Sequence, residues 1–333
     1  MKIWFNHWFS TAYYFIESCH KKNHYVIATN ERESCVYKMN ADEFYLESPM
    51  KPDEYLEWSI RFCKEHSIDV FFCKRQMSII SQNVSKFEDI GVKVIVENFS
   101  NISLFESKMD TLKFFKKNNI CKVPEMFLVK RRDDFVDYYN YLKENYGCVC
   151  CKLDVDEGGQ SFKKIICKEK DIRTLTDFQG LSIYEEDFFN IVDSADSFPN
   201  MILMPYLAGT EYSIDCYNTK NGLIAVPRYK LSNRITRIEN NPKLIEIANK
   251  FQKCANLESA YNIQIREDEK GTPFLLEVNT RLSGGSWKDS FAGFDIISII
   301  LDEIEGIDTD IDNLYNNFNK IDVSNLESAI ILE

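Results

Sequence analysis

The sequence predicts an α/β protein whose C-terminal part is α+β, on three observations. Over residues 1–100, short apolar runs alternate with amphipathic stretches of helical length, the pattern of βαβ units and a parallel sheet. After residue 200, apolar runs follow one another closely, as antiparallel strands do. The stretch FLLEVNTRLSGGSW, Phe274 to Trp287, begins as a buried strand and then sets Glu277, Asn279 and Arg281 at alternate positions, on one strand face.

The elements follow in order. KIWF (2–5) reads as a strand, 11–22 as a helix, YVIAT (25–29) as a strand, 55–67 as a helix, and DVFFC (69–73) and VKVIVE (92–97) as strands. The turn after the first strand, NHWFS, contains no glycine, so there is no dinucleotide fingerprint. Residues 103–119 read as one helix with Lys108 near its start, VPEMFLV (123–129) as a strand and 133–147 as a helix closed by glycine. CVCCKLDV and KKIICKE form a hairpin around the polar loop DEGGQSF. MILMPYL, EYSIDCYN and LIAVPRYKL are expected to be three antiparallel strands, 241–256 a helix, and AYNIQIRED a strand paired with the opening stretch across EKGTP. The segment beyond 306 is acidic and rich in Asn and gives no clear pattern.

Composition bounds the function. Forty Lys and Arg stand against 52 Asp and Glu in 333 residues, a formal charge of −12. That argues against a general nucleic-acid surface but leaves room for a local basic pocket. The eleven cysteines are scattered; Cys148, Cys150 and Cys151 lie in an apolar segment that reads as core, and the usage suggests free thiols in a reducing compartment. Asn6, His7 and Ser10 interrupt the N-terminal apolar residues, and no run of eighteen apolar residues occurs. The expectation is a soluble cytoplasmic protein without a membrane partner. His7, His20, His24 and His66 all fall in the first hundred residues and read as surface or packing residues. Trp4, Phe5, Trp8 and Phe9 read chiefly as core, although they sit where a first parallel strand ends and substrates commonly bind.

Gln264 stands on the strand preceding Glu277 and Asn279. One carboxylate and two amide oxygens form a hard-oxygen set suited to Mg²⁺, which then takes its other ligands from water and phosphate. Arg281 adds a cationic fork, and SGGS (283–286) adds backbone N–H groups for an anion. Taken alone, Glu-x-Asn-x-Arg is equally compatible with a solvated strand face.

With its other motifs the chain resembles the ATP-grasp superfamily over roughly residues 100–305, with the nearest likeness to single-core relatives of the carbamoyl phosphate synthase large subunit. The resemblance matches Gln264, Glu277, Asn279 and Arg281 to a metal-holding pattern. It matches Lys108 in ESKMDT and Lys152 in CKLDV to two basic residues, and Gly158 and Gly159 to the loop over the phosphates. MPYLAGTEYSID matches the hinge strand, with Tyr206 and Leu207 offering backbone to adenine and Glu211 binding ribose. Arg228 and Lys230 resemble a basic pair that reaches the transferred phosphate, a weaker match. Leu153 and Thr280 stand where proline is frequent, and Met204-Pro205 where an acidic residue is common.

The resemblance implies an N-terminal α/β domain (1–100), a linker helix and lid subdomain (101–203) and a C-terminal subdomain with the metal site (204–333). It implies ATP with Mg²⁺, or Mn²⁺ in its place, and ADP-forming ligation of a small carboxylate, such as an amino acid, to an amine or ammonia through an acyl phosphate. A homodimer is compatible with it. The alternatives are a phosphotransferase and an ATP-binding regulatory protein without turnover.

Overall fold

A computed structural model describes residues 1–155, 159, 161–176, 180–232 and 234–326, the side chains of Arg173 and Leu175 excepted. The chain forms two compact units, one of Met1–Phe105, Glu211–Gln264 and Val278–Glu333, the other of Glu106–Thr210 and Ile265–Glu277.

In the first unit, β1 (Lys2–Asn6), β2 (Tyr25–Asn30), β3 (Glu43–Leu46), β4 (Val70–Phe72) and β5 (Lys93–Ile95) form a parallel sheet in the order β3-β2-β1-β4-β5. Its strands are apolar on both faces because both are covered. Ile3, Phe5, Ala28 and Phe72 pack with Phe15 and Ile16 of α1 (Ala12–Lys21), and Trp4, Ile27 and Phe71 pack with Tyr55, Phe62 and Cys63 of α2 (Pro52–His66). The short helices α3 (Met77–Ser81) and α4 (Val84–Glu88) extend the second face through Ile80 and Phe87. Proline opens α2 at its first turn and Ser67 closes it at φ 52°. Chain order reverses between β1 and β4, the position at which parallel sheets commonly bind ligands.

The helix expected over 103–119 is two, α5 (Phe99–Glu106) and α6 (Lys108–Lys117). Ser107 divides them at φ −80°, ψ 121°, and its hydroxyl accepts the Asp110 N–H at 3.2 Å. A serine competes with the helical backbone in this way, and the local cap outweighs continuation.

The second unit is built on β6 (Phe127–Val129), α7 (Arg132–Tyr146), β7 (Val149–Leu153), β8 (Lys163–Ile166), α8 (Arg173–Thr176), β9 (Ser182–Tyr184), α9 (Glu185–Ser194) and β10 (Met201–Pro205). The sheet order is β6-β10-β7-β8-β9, and Phe135, Tyr139 and Leu142 of α7 pack on it with Phe188 of α9. The β7–β8 hairpin is antiparallel, as expected. β10 was expected beside the strand that follows it, yet it pairs with β6 and β7. Four of its five residues are buried, and partners on both edges satisfy a backbone that water cannot reach.

The six-stranded sheet β15-β14-β11-β12-β13-β16 contains β11 (Glu211–Thr219), β12 (Gly222–Lys230), β13 (Ile235–Ile238), β14 (Tyr261–Glu267), β15 (Pro273–Asn279) and β16 (Ile321–Ser324). α10 (Pro242–Ala255) starts at Asn241, whose side chain accepts the Leu244 N–H. α11 (Ile296–Ile304) covers the parallel sheet. The segment beyond 306 has structure that its composition does not announce: α12 (Ile311–Asn316), then β16 paired antiparallel with β13. Among the described residues no helix is long and apolar enough to cross a membrane.

Glu97, fully buried after β5, fixes the chain there. Its carboxylate accepts from the Asn98 N–H and side chain, the Asn101 side chain, and the Glu258 and Ser259 N–H groups, at 2.7–3.0 Å. Glu97→Ala strands these donors. Chemical denaturation should show a loss of about 3 kcal/mol, and a loss under about 1 kcal/mol would show that water replaces the carboxylate.

Candidate functional site

In the second unit the site begins at the start of α6. The Asp154 carboxylate meets this helix end: Oδ1 accepts the Met109 N–H at 3.1 Å and Oδ2 accepts from the Ser107 hydroxyl at 3.3 Å. Lys108 is buried; its Nζ donates to the Asp154 carbonyl at 3.1 Å and lies 3.8 Å from Glu277 Oε2. Lys152, also buried, stands opposite Ile202 on β10. Nearby Cys150, Ile202 and Met204 gather Met109, Met126, Leu128, Phe162, Tyr206 and Leu276 into an apolar cluster. The Tyr206 N–H donates to the Cys148 carbonyl at 2.8 Å, and its ring lies under Lys164 and Arg266, 4.1 and 5.2 Å away. Leu207 is buried behind it.

Gly209 follows, where a Cβ would stand 2.6 and 2.7 Å from the backbone oxygens of Glu267 and Asp268. No other residue fits without moving backbone, which explains the glycine of Gly-x-Glu. Gly159 has φ 65°; Gly158 lies outside the described residues.

In the first unit, Glu211 is exposed at the head of β11, Lys230 is exposed at the end of β12, and Gln264, Asn279 and Arg281 are half-buried. β14 and β15 are neighbours in the sheet, so Gln264 rides on the strand next to the one carrying Glu277 and Asn279. The Arg281 Nη1 donates to the Leu282 carbonyl at 3.2 Å, and its guanidinium lies over the Phe9 ring, 4.7 Å from the centroid.

Arg228 is not on a solvated face. It is buried, and its guanidinium donates to Asp215 Oδ2 from Nε at 2.9 Å and Nη2 at 2.5 Å, and to the hydroxyls of Ser213 and Ser283. Asn262 donates to Ser213 Oγ and Asp215 Oδ1, both at 2.8 Å. Asp289 Oδ1 lies 3.4 Å from Arg228 Nε. Burial alone would lower the Arg228 pKa, yet the Asp215 and Asp289 carboxylates hold it above the usual arginine value. Burial first, then the Asp215 charge, raises Asp289 well above the carboxylate range. Burial, with Arg228 and Lys230 nearby, lowers Lys288, whose ammonium donates to the Thr236 hydroxyl at 2.9 Å. A Cβ at Gly285 would stand 2.4 Å from Arg228 Nη1, so SGGS closes over the guanidinium. Asp215, Asn262, Asp289 and Lys288 escaped the sequence reading. The visible signal was Ser213 and Asp215 on alternate positions of EYSID, polar groups facing one way from an apolar strand.

Burial raises the Asp289 pKa in the fold, so the folded chain binds this proton more tightly than the unfolded chain does. The stability it contributes is complete below about pH 3.9, the ordinary aspartate value, and drains as pH rises towards its raised folded value. Asp289→Asn keeps the shape of the neutral acid and removes this dependence. Melts across pH 5–9 should be flatter for the variant, by at most about 1.4 kcal/mol per pH unit. Parallel curves would place a charged carboxylate there.

Residues 197–329 match the family model described as ATP-grasp in the biosynthetic pathway with Ter operon. No curated protein matches the chain by sequence. Among solved structures it is similar to the biotin carboxylase domain of Hydrogenobacter thermophilus 2-oxoglutarate carboxylase, in complex with MgADP, ADP and bicarbonate. That likeness has 17% identity and a TM-score of 0.64 and covers 93% of this chain and 70% of that one. N5-carboxyaminoimidazole synthetase from Staphylococcus aureus gives 15%, 0.65, 92% and 77%. Biotin carboxylase from Campylobacter jejuni, in complex with β-γ-ATP, gives 15%, 0.66, 92% and 71%. The parallel sheet, the hairpin-bearing second sheet and the antiparallel sheet with Glu-x-Asn are thus those of the ATP-grasp fold, and residues 197–329 match an ATP-grasp family model.

Proposed function

We propose that the chain is an ATP-dependent ligase that joins a carboxylate to an amine or ammonia through an acyl phosphate. The observation that carries this reading is the pair of buried lysines, Lys108 and Lys152, in the unit that also holds Glu277 and the apolar cluster around Met204. Two buried lysines beside an apolar cluster match the two halves of a nucleotide, its phosphates and its flat base. The relatives crystallised with ADP, MgADP and β-γ-ATP support the same assignment.

In this reading the adenine lies against Leu276, Met204 and the backbone of Tyr206 and Leu207, and Glu211 takes the ribose hydroxyls. Lys108 and Lys152 meet the phosphates, with Gly159 at φ 65° in the connection between β7 and β8. The oxygen donors of Gln264, Glu277 and Asn279 fit Mg²⁺, or Mn²⁺, which when bound would offset charge on the phosphate oxygens. Only one donor of the three is a carboxylate, so ion and nucleotide should bind together.

A carboxylate oxygen attacks the γ-phosphorus, the bond to the bridging oxygen breaks, and ADP leaves with that electron pair. The amine nitrogen then attacks the acyl carbon, the carbon–oxygen bond breaks, and inorganic phosphate departs while the amine releases a proton. Arg281 and Lys230 face the charge that moves between oxygens. Arg228, held by Asp215, positions the SGGS segment. Water is kept from the intermediate by closure over the nucleotide.

An acyl phosphate acylates hydroxylamine, whereas a phosphate ester does not. Incubation with Mg²⁺, ATP, hydroxylamine and each proteinogenic amino acid should give ADP and a hydroxamate together for the correct acid. ADP release without hydroxamate or acyl phosphate would identify a phosphotransferase, and nucleotide binding without ADP release across a broader acid panel would favour a regulatory protein. Glu277→Gln keeps the shape and removes the charge. It should lower turnover roughly 100-fold or more with folding intact, and a variant within a few fold of wild type would overturn the metal assignment.

A further inference from the structure

SGGS offers an anion fewer N–H groups than its sequence suggests. The Gly285 N–H donates to Ser283 Oγ and the Ser286 N–H to the Ser283 carbonyl, both at 3.2 Å. A cation stands two residues further on, in the short 3-10 helix Ser286–Ala292. Lys288 is 8% exposed, and its ammonium donates to Thr236 Oγ1 at 2.9 Å. Its other close neighbour is the Trp287 ring, 5.7 Å away at the centroid. Among the described residues no carboxylate forms an ion pair with it. Buried charges are otherwise paired, so an ammonium served by a hydroxyl and a ring is an exception.

The surrounding charges deepen the imbalance. Burial, then Arg228 and Lys230, lower the Lys288 pKa from the usual lysine value, and Asp289 opposes them most weakly. Asp215 matches the Arg228 charge. Lys230 forms no ion pair among the described residues.

Strand register sets these groups on one face of the antiparallel sheet. Lys230 is the direct partner of Thr236 across β12 and β13. Its side chain therefore leaves the sheet on the side where Lys288 meets the Thr236 hydroxyl. Arg237, next to Thr236, points to the opposite side and pairs there with Asp322 of β16. The remaining residues of β13 and β16 on the Thr236 face are Ile238, Ile321 and Val323, which carry no charge. Thr236 adds a third donor: its oxygen accepts from Lys288, and the hydroxyl proton remains available to an acceptor. Lys230 is exposed, so the cluster reaches solvent on its side. An oxyanion placed among two ammonium groups and a hydroxyl would receive charge-assisted bonds and offset the repulsion between the lysines.

We propose that Lys230, Lys288 and Thr236 bind an oxyanion within the first unit, the carboxylate or phosphate group of a small molecule. The proposal deepens the ligase reading and rests on it for the ligand's role: a substrate carries this anionic group, and Lys288 and Thr236 join Lys230 in holding it.

Calorimetric titration of the full chain with inorganic phosphate and with malonate, at constant ionic strength and without nucleotide, tests it. At least one anion should bind, the tighter one showing whether the group is a phosphate or a carboxylate. Malonamide, which has the shape of malonate without its charge, should bind about tenfold more weakly or worse. Lys288→Met and, at an exposed position where folding is not at stake, Lys230→Met should each weaken the anion about tenfold. Lys250→Met removes a lysine of α10 that is paired with Glu246, and it should leave anion binding unchanged. The proposal is overturned if neither anion binds, if malonamide binds as well as malonate, or if Lys230→Met acts no more strongly than Lys250→Met. Anion bound at the nucleotide site alone would give that last result. MgADP binding with any of these results leaves the nucleotide reading standing, whereas a wild-type chain that binds the anion but not MgADP overturns the ligase and keeps the anion site.

Discussion

A guanidinium buried beneath a glycine loop is the constraint on which the antiparallel sheet of the first unit depends. Arg228 could not lie there alone, because removing its charge from water costs several kcal/mol. Asp215 offsets that cost, while Ser213, Asn262 and Ser283 occupy the remaining directions. The same bonds join β11, β12, β14 and the segment after β15. Gly285 is the consequence on the other side, since any side chain there would collide with the guanidinium. Fold and loop sequence are therefore one requirement: the SGGS turn is glycine-bearing partly because an arginine fills the space beneath it.

A different balance governs the second unit. Glu277 is its only carboxylate among the proposed metal donors, and Lys108 already lies 3.8 Å away. A single carboxylate facing a lysine is a poor trap for a divalent ion by itself. In the proposed reaction phosphate oxygens would change the balance, engaging the lysines and supplying the ion's missing charge. On that reading, nucleotide and ion would be captured together.

Much of this was legible in the sequence where the local signal and the tertiary outcome coincide. Alternation and length revealed the parallel strands and their helices, and Glu277 and Asn279 were visible as same-face residues of β15. Ser107 was misread because hydrophobic spacing carries across it, while a hydroxyl cap is a one-residue event. β10 was assigned to the wrong neighbour because adjacency in sequence is only a tendency, and the turn through Gly209 takes the chain to another sheet. β3, β9, β13 and β16 are three or four residues long, and such short strands take their identity from a partner. The Arg228 network was illegible for a related reason: its members are 74 residues apart from Asp215 to Asp289, and only folding reveals that they share one buried space.

The turn after β1 explains how this α/β sheet differs from a dinucleotide-binding one of similar topology. A pyrophosphate needs backbone N–H groups at close range, hence glycines, and the first of them must lie just past the first strand. Here that place holds His7, Trp8 and Phe9. Trp8 is buried, with its Nε1 donating to the Phe72 carbonyl at 2.8 Å, which ties the turn to the end of β4. Phe9 then projects a ring where a phosphate-binding turn would present bare backbone. Such a turn cannot wrap a polyphosphate. In the proposed reaction the phosphates fall instead to the other unit, where Lys108 and Lys152 are buried.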